Sequence, residues 1–338
     1  MRRGIVLVAC VTTSLTFTLP AMAAPAARGD GSAAGSSRLG TAHSFRVFLT
    51  PQLSMVMGVV AGPDGNLWLT EFNIWTSNSD VARVTPTGTF TEYPVSYFST
   101  LDDGPGSITV GPDGNLWFTE AFGNQIGRIA AGGTLTEFPV PSGGGPRSVA
   151  AGPDGNLWFT EFNGNRIGRI TTTGAIDEYS IPTMDSGPET IVAGPDGNLW
   201  FTESSANQLG RITTTGAIRE YPIPTSHAEP WAITAGSDGN LWFTETSANQ
   251  IGRITATGVI TEFPVLSGTG GPRGIAAGPN GNLWFTTDGL VIGRITPTGT
   301  IRLSGPGRFV LSDGIAAGPQ GNGVWFSAGE AIGSVLLR

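Results

Sequence analysis

The side chains able to do chemistry in this chain are few, and most lie at one repeated position. Of 338 residues, two are histidine (His43 and His227), one is cysteine (Cys10) and all 18 basic residues are arginine, with no lysine. Schiff-base chemistry and a phosphate-gripping lysine are therefore excluded. A net charge of −8 opposes bulk attraction to nucleic acid. What remains is a set of seven: Met57, Gly106, Arg147, Glu189, Trp231, Arg273 and Asp313, most of them directly after a proline. The arginines could hold a carboxylate or phosphate, and the tryptophan could stack on a planar or sugar ring.

These seven share a position because the chain is one unit written seven times. AGPDGNLWLTE at 61–71 returns as VGPDGNLWFTE, then as close variants up to AGPQGNGVWFS at 317–327. The tryptophans Trp68, Trp117, Trp158, Trp200, Trp242, Trp284 and Trp325 are spaced 49, 41, 42, 42, 42 and 41 residues apart. Such a period signals a propeller or a solenoid. Each unit writes four short strands separated by Gly, Asn and Pro turns, with no helical pattern, which is a propeller blade. The last unit ends after its third strand at Ala331 to Leu337, and Ser44 to Pro51 resembles a fourth strand. The reading is an all-β, seven-bladed propeller over 41–338, four antiparallel strands per blade, closed by the N-terminal strand so that no sheet edge stays open. Inner-strand ends surround the channel, so the seven variable side chains should ring one mouth of it. The strands, loops and turns between them are scaffold.

Periodic polar residues read as that scaffold. The GPDG aspartates (Asp64, Asp113, Asp154, Asp196, Asp238) suit turns. The WFTE glutamates (Glu71, Glu120, Glu161, Glu203, Glu245) and the IGR arginines are both missing from the last unit, at Ala328 and Ser334. Joint loss predicts a salt bridge or stacking between the second and third strands. With Glu92, Glu137, Glu178, Glu220 and Glu262, fifteen of 26 acidic residues are periodic and read as a solvated rim.

The first 40 residues are an address and a leader. Arg2-Arg3, the apolar run Gly4 to Leu19 and Pro20-Ala21-Met22-Ala23 predict a signal peptide at 1–23, cut after Ala23, hence secretion without a membrane span. Residues 24–40, rich in Ala, Gly and Ser, read as a flexible leader. Cleavage removes Cys10 and leaves no thiolate for a disulfide or a metal. A monomer is expected.

The phrase GPDGNLWFTE-x-x-x-N-x-IGRIT-x-x-G-x-I-x-EY, repeated across all seven units, resembles the repeat of virginiamycin B lyases, seven-bladed propellers that inactivate streptogramins. The resemblance implies elimination at the ester of a cyclic depsipeptide, with magnesium polarising the ester and a histidine as base or acid. At the implied site the residues differ. Histidines expected in the last two units are Arg273 and Asp313, one expected glutamate is Leu311, and another is Gly329 or Glu330. The fifth-unit loop His227-Ala228-Glu229-Pro230-Trp231 keeps the family's Glu-Pro but has tryptophan in place of histidine. Two readings stay open. One is a binding propeller whose small-molecule, peptide or glycan ligand meets Arg147, Glu189, Trp231 and Arg273. The other is a lyase with a rebuilt site: Asp313 as base, Glu330 as its partner, and Glu229 or Glu189 on Mg2+. An unperturbed aspartate, near pKa 3.9 against about 6.5 for histidine, is the weaker base unless burial raises it.

Overall fold

Why each unit forms its sheet is visible in the second strand, LWFTE, whose five residues are buried on both faces. A strand this apolar is stable only when sandwiched, and neighbouring blades supply both covers. The computed structural model describes residues 15–17, 44–73, 78–95, 105–266, 268–289, 291–305, 313–321 and 323–336. Within them lie seven antiparallel sheets, six with one unit's strands in sequential order and the seventh completed by N-terminal strands. From the axis outward, blade three runs Pro146–Ala151, Leu157–Glu161, Arg166–Ile170 and Ile176–Ser180.

The ring closes through the N-terminal strand. Ser44–Leu49 pairs antiparallel with Ala331–Leu336, in register from Ser44 opposite Leu336 to Leu49 opposite Ala331. Leu15–Phe17, inside the expected signal peptide, pairs with the outer side of Ser44–Leu49 as a fifth strand of blade seven. The inner strands of blades seven and one, Ile315–Ala317 and Met55–Ala61, pack together. Phe48 stacks on Trp325 at 5.8 Å, as Tyr93, Phe138, Tyr179, Tyr221 and Phe263 stack on the tryptophans of blades one to five. Each outer aromatic is also covered by a turn glycine of the next blade, Gly88 covering Phe48 with φ +91°. A Cβ on Gly88 would lie 2.5 Å from that ring, and its φ suits glycine alone.

The GPDG aspartates are turn residues with a second role. Asp154 accepts from the Asn156 backbone N–H (3.3 Å) and from the Trp158 indole N–H (3.1 Å), so the turn also satisfies a fully buried indole. Partial burial pushes its pKa up, but the hydrogen bonds outweigh this and leave the carboxyl below its ordinary range.

Of the two roles the sequence suggested, stacking between the second and third strands holds for the arginines, whereas no salt bridge joins them to the glutamates among the described residues. Trp158 lies opposite Arg169 in register, and Glu161, three residues beyond Trp158, emerges on the other face of the strand. The arginines instead lie over the tryptophans, Arg169 at 5.8 Å from the Trp158 ring and Arg211 at 5.7 Å from that of Trp200. Nor is the acidic set a solvated rim: Glu71, Glu120, Glu161, Glu203 and Glu245 are fully buried. Each faces a half-buried glutamate of its own outer strand, Glu92, Glu137, Glu178, Glu220 or Glu262. The third-strand glycine makes room for the second-strand phenylalanine ring: Gly127 lies opposite both Phe118 and Glu137, and a Cβ there would run into the Phe118 ring. Register shows the matching loss: blade six has Thr287 with Leu303, and blade seven has Ala328 with Val47. Each buried glutamate thus lies against another glutamate, with Ser142 also bonding Glu161 and Gln208 bonding Glu203.

Candidate functional site

The mouth of the channel is shaped by a bulge. In blade three Pro146 pairs with Glu161 and Val149 with Phe159, so three steps on the inner strand face two on its neighbour. The same shift occurs at Gly106, Glu189, Trp231 and Arg273. A bulge re-aims the residue it carries, here off the strand pairing and toward the axis. The threonine of the LWFTE phrase fixes the bulge. Thr160 Oγ1 accepts from the Ser148 backbone N–H (3.1 Å) and donates to the carbonyl of Glu189 in the next blade (2.7 Å). Thr119 and Thr202 donate likewise to the carbonyls of Arg147 and Trp231, at 2.9 and 2.8 Å.

A cavity of about 820 Å³ fills this mouth and the throat below it. Met57, Gly106, Arg147, Glu189, Trp231 and Asp313 line it, above walls that include Ile108, Val149, Ile191, Ile233, Ile275 and Ile315. Arg273 is not on that lining; it lies over the Trp231 ring at 4.6 Å and thereby braces a side chain that is. The Glu229 carboxylate accepts a hydrogen bond from the Ser247 hydroxyl. Glu330 is exposed on the rim outside the cavity, its backbone carbonyl accepting from Thr50. Leu311 lies outside the described residues. In the Glu229 loop, His227 and Glu229 hold φ of +56° and +54°, where blade three has Gly143 and Gly145 and blade four has Asp185 and Gly187. Two left-handed non-glycine residues together are strained backbone, of the kind that recurs at binding sites.

The structure adds a second variable ring. In blades three, four and six the residue directly after the second strand, fifteen positions beyond the first ring, touches the first-ring residue of its own blade. Phe162 lies under Arg147, whose guanidinium is 4.1 Å from the ring centre. Ser204 donates to Glu189 at 3.3 Å, and Asp288 accepts from Arg273 Nε at 2.5 Å. These residues also vary from unit to unit, which was the signal to follow; only the bulge shows that the two positions meet.

Charge in the mouth is largely paired. Arg147 bonds Glu189 at 3.0 Å. Glu189 is 6% exposed; burial pushes its pKa up, and Arg147 with the Ser204 hydroxyl counteracts this only in part. Asp313 is open to the lumen yet enclosed by channel wall. That desolvation raises its pKa against the opposing pull of Arg273, a hydrogen bond from the Trp231 indole and Arg147. Among the described residues, no three His, Cys, Asp or Glu side chains converge as a metal ion requires. With a guanidinium beside Asp313 and another on Glu189, and with Glu229 bound to Ser247, this donor set does not fit magnesium.

The sequence model of the virginiamycin B lyase family matches residues 42–336. A streptogramin B lyase structure is 38% identical, with a TM-score of 0.80, covering 87% of this chain and 97% of that one. Virginiamycin B lyase from Staphylococcus aureus is 38% identical at TM-score 0.80, covering 87% of this chain and all 100% of its own. A catalytically inactive form of that enzyme, solved with quinupristin, is 37% identical at TM-score 0.80, over 87% of this chain and 100% of its own. Among curated proteins no sequence match is found.

Proposed function

The chain belongs to the virginiamycin B lyase family, and from that premise we propose that it is an exported propeller that binds a small molecule, a peptide or a glycan at the channel mouth. The observation that carries this reading is the coupling of the two variable rings around one cavity: Arg147 with Phe162 and Glu189, Trp231 with Arg273 and Asp313. Otherwise near-identical blades differ where their side chains face a ligand-sized space, and 820 Å³ suits a drug-sized molecule. Export rests on the N-terminal pattern. Cleavage after Ala23 would also remove Leu15–Phe17 and leave blade seven with four strands, like the other six. The closed ring, with its second and third strands covered on both faces, supports a monomer.

The test is thermal shift and calorimetric titration of purified protein with quinupristin and with peptidoglycan fragments, the first chosen because a relative is solved with it. Trp231→Ala should weaken binding at least tenfold, while Arg302→Ala, on an exposed outer strand, should not change it. Equal effects of the two changes would remove the channel mouth from consideration.

A second reading, a lyase with a rebuilt site, is favoured by one observation. Burial moves Asp313 in the direction a base at neutral pH requires. Its weakness is the company Asp313 keeps: among the described residues no histidine lines the cavity, no three metal-ligating side chains converge, and Glu330 is off the lining.

A further inference from the structure

The charge and the walls of the mouth narrow the class of ligand. Both arginines are occupied: Arg147 is paired with Glu189 and stacked on Phe162, and Arg273 is paired with Asp288 and stacked on Trp231. An anion would have to displace a carboxylate from each. Four carboxylates, Glu189, Glu229, Asp288 and Asp313, stand around these two guanidinium groups, so the mouth carries excess negative charge. Of this set Glu189 and Asp313 line the cavity; Glu189 is ion-paired with Arg147, whereas Asp313 has a hydrogen bond from the Trp231 indole and no ion pair within 4 Å among the described contacts. The same cavity also offers apolar surface: Met57 and Phe122, 43% and 61% exposed, line it with Trp231 above the isoleucine throat. The whole chain, at −8, favours the approach of cations over anions.

We infer that the channel mouth takes an organic cation on an apolar body, its ammonium or guanidinium group against Asp313 and its hydrocarbon or ring against Trp231, Met57 and Phe122. This rests on the reading of the mouth as a binding site and names the chemistry that site selects. A carboxylate exposed over an apolar throat gains most from a ligand that brings a positive charge and buries apolar surface in one step. The aromatic rings add attraction for the cation, as they already do for the protein's own arginines.

Three probes of matched shape separate the charges: tryptamine, the neutral indole-3-ethanol and indole-3-acetate. Calorimetric titration at pH 8 and low salt should give tryptamine at least ten times the affinity of indole-3-acetate, with the neutral probe between them. The preference should shrink with added salt. Asp313→Asn should bring tryptamine down to the neutral probe. Arg147→Ala, which unpairs Glu189 and removes a positive charge, should strengthen tryptamine binding. These two opposite expectations guard against a variant that simply misfolds. Tighter binding of indole-3-acetate, or an amine preference that survives Asp313→Asn, overturns the inference. If no probe binds while a peptidoglycan fragment binds in a Trp231-dependent manner, the cation class is overturned and the mouth site stands. If quinupristin and the glycan fragments fail as well, both readings fall.

Discussion

Thr160 in blade three gives its hydroxyl hydrogen to the carbonyl oxygen of Glu189 in blade four, 2.7 Å away, while accepting from the backbone of its own inner strand. One buried hydroxyl thus ties the bulge that presents Arg147 to the bulge that presents Glu189. The distance between the two members of the Arg147–Glu189 pair is set by scaffold. Thr160→Val keeps the shape, removes both bonds and leaves the Glu189 carbonyl and the Ser148 N–H unpaired. The expected cost is about 1–3 kcal/mol by denaturant unfolding. Ligand affinity should fall as well, since the mouth loses a fixed spacing. The variant with unchanged stability would show that the bridge contributes little.

The buried glutamate pairs predict a stability that declines with rising pH. Burial, with repulsion from the outer glutamate, pushes Glu120 and Glu245 to about 8. Burial also lifts Glu161 and Glu203 to about 7, although Ser142 bonds the first and Gln208 the second. A folded-state pKa above the unfolded value means that the native chain holds extra protons. That stability is complete below about pH 4.5 and drains as pH rises through 7 and 8, by about 1.4 kcal/mol per pH unit per proton. The melting temperature should therefore be higher at pH 5.5 than at pH 8.5. Glu120→Gln and Glu245→Gln should flatten the dependence and raise stability at pH 8.5. At the acid end the turn aspartates, held below their ordinary pKa, lose their bonds to Trp and Asn only as pH falls through that lowered range. A flat profile between pH 5.5 and 8.5 would mean that the pairs do not hold their protons.

How much of this was legible beforehand can be argued from the same residues. Period, strand count and closure were written in the tryptophan spacing and in the missing fourth strand, because a repeat that cannot bury its faces alone must stack. The mouth ring was legible as one position with seven different residues. The partner of Glu161 was missed by matching residues that disappear together in one unit, when strand alternation already places it on the face opposite Trp158 and Arg169. Its true counterpart, Glu178, lies across a third strand, and only register reveals that Leu303 and Val47 take its place where the first glutamate is gone. The neutralisation of Arg147 and Arg273 was hidden for a similar reason. Glu189, which neutralises Arg147, sits on the next blade, and Asp288, which neutralises Arg273, sits fifteen residues away until a bulge brings it alongside.

Closure by Ser44–Leu49 makes Phe48 a core residue although it stands outside the repeats. It is 4% exposed, stacked on Trp325 and covered by Gly88 of the first blade. Phe48→Ala should cost about 3–5 kcal/mol by denaturant unfolding, the usual range for a buried phenylalanine. A chain beginning at Gln52 should aggregate, because Ala331–Leu336 would become an open edge. A chain beginning at Ala24 should be as stable as any longer form. Equal melting of the Gln52 and Ala24 forms would mean that the ring closes without this strand.

The last expectation concerns the chemistry of the relatives. Ring opening of a streptogramin B ester by elimination needs a base within reach of the proton beside the carbonyl and an electrophile for the developing negative charge. Asp313 is the carboxyl best placed to be that base, and burial moves it the right way, but Arg273 and the Trp231 indole both hold it toward the charged, weakly basic form. Arg147 could stabilise an oxyanion only by giving up Glu189, its partner at 3.0 Å. General acid–base work alone is worth roughly 100- to 10,000-fold in rate. With the base weakened and the electrophile engaged elsewhere, purified protein incubated with quinupristin and magnesium should leave the ring intact, followed by the mass of the opened product. Turnover abolished by Asp313→Asn would instead establish the rebuilt lyase with Asp313 as its base. Turnover that survives Asp313→Asn would refute both accounts of the mouth and move the chemistry to another part of the channel.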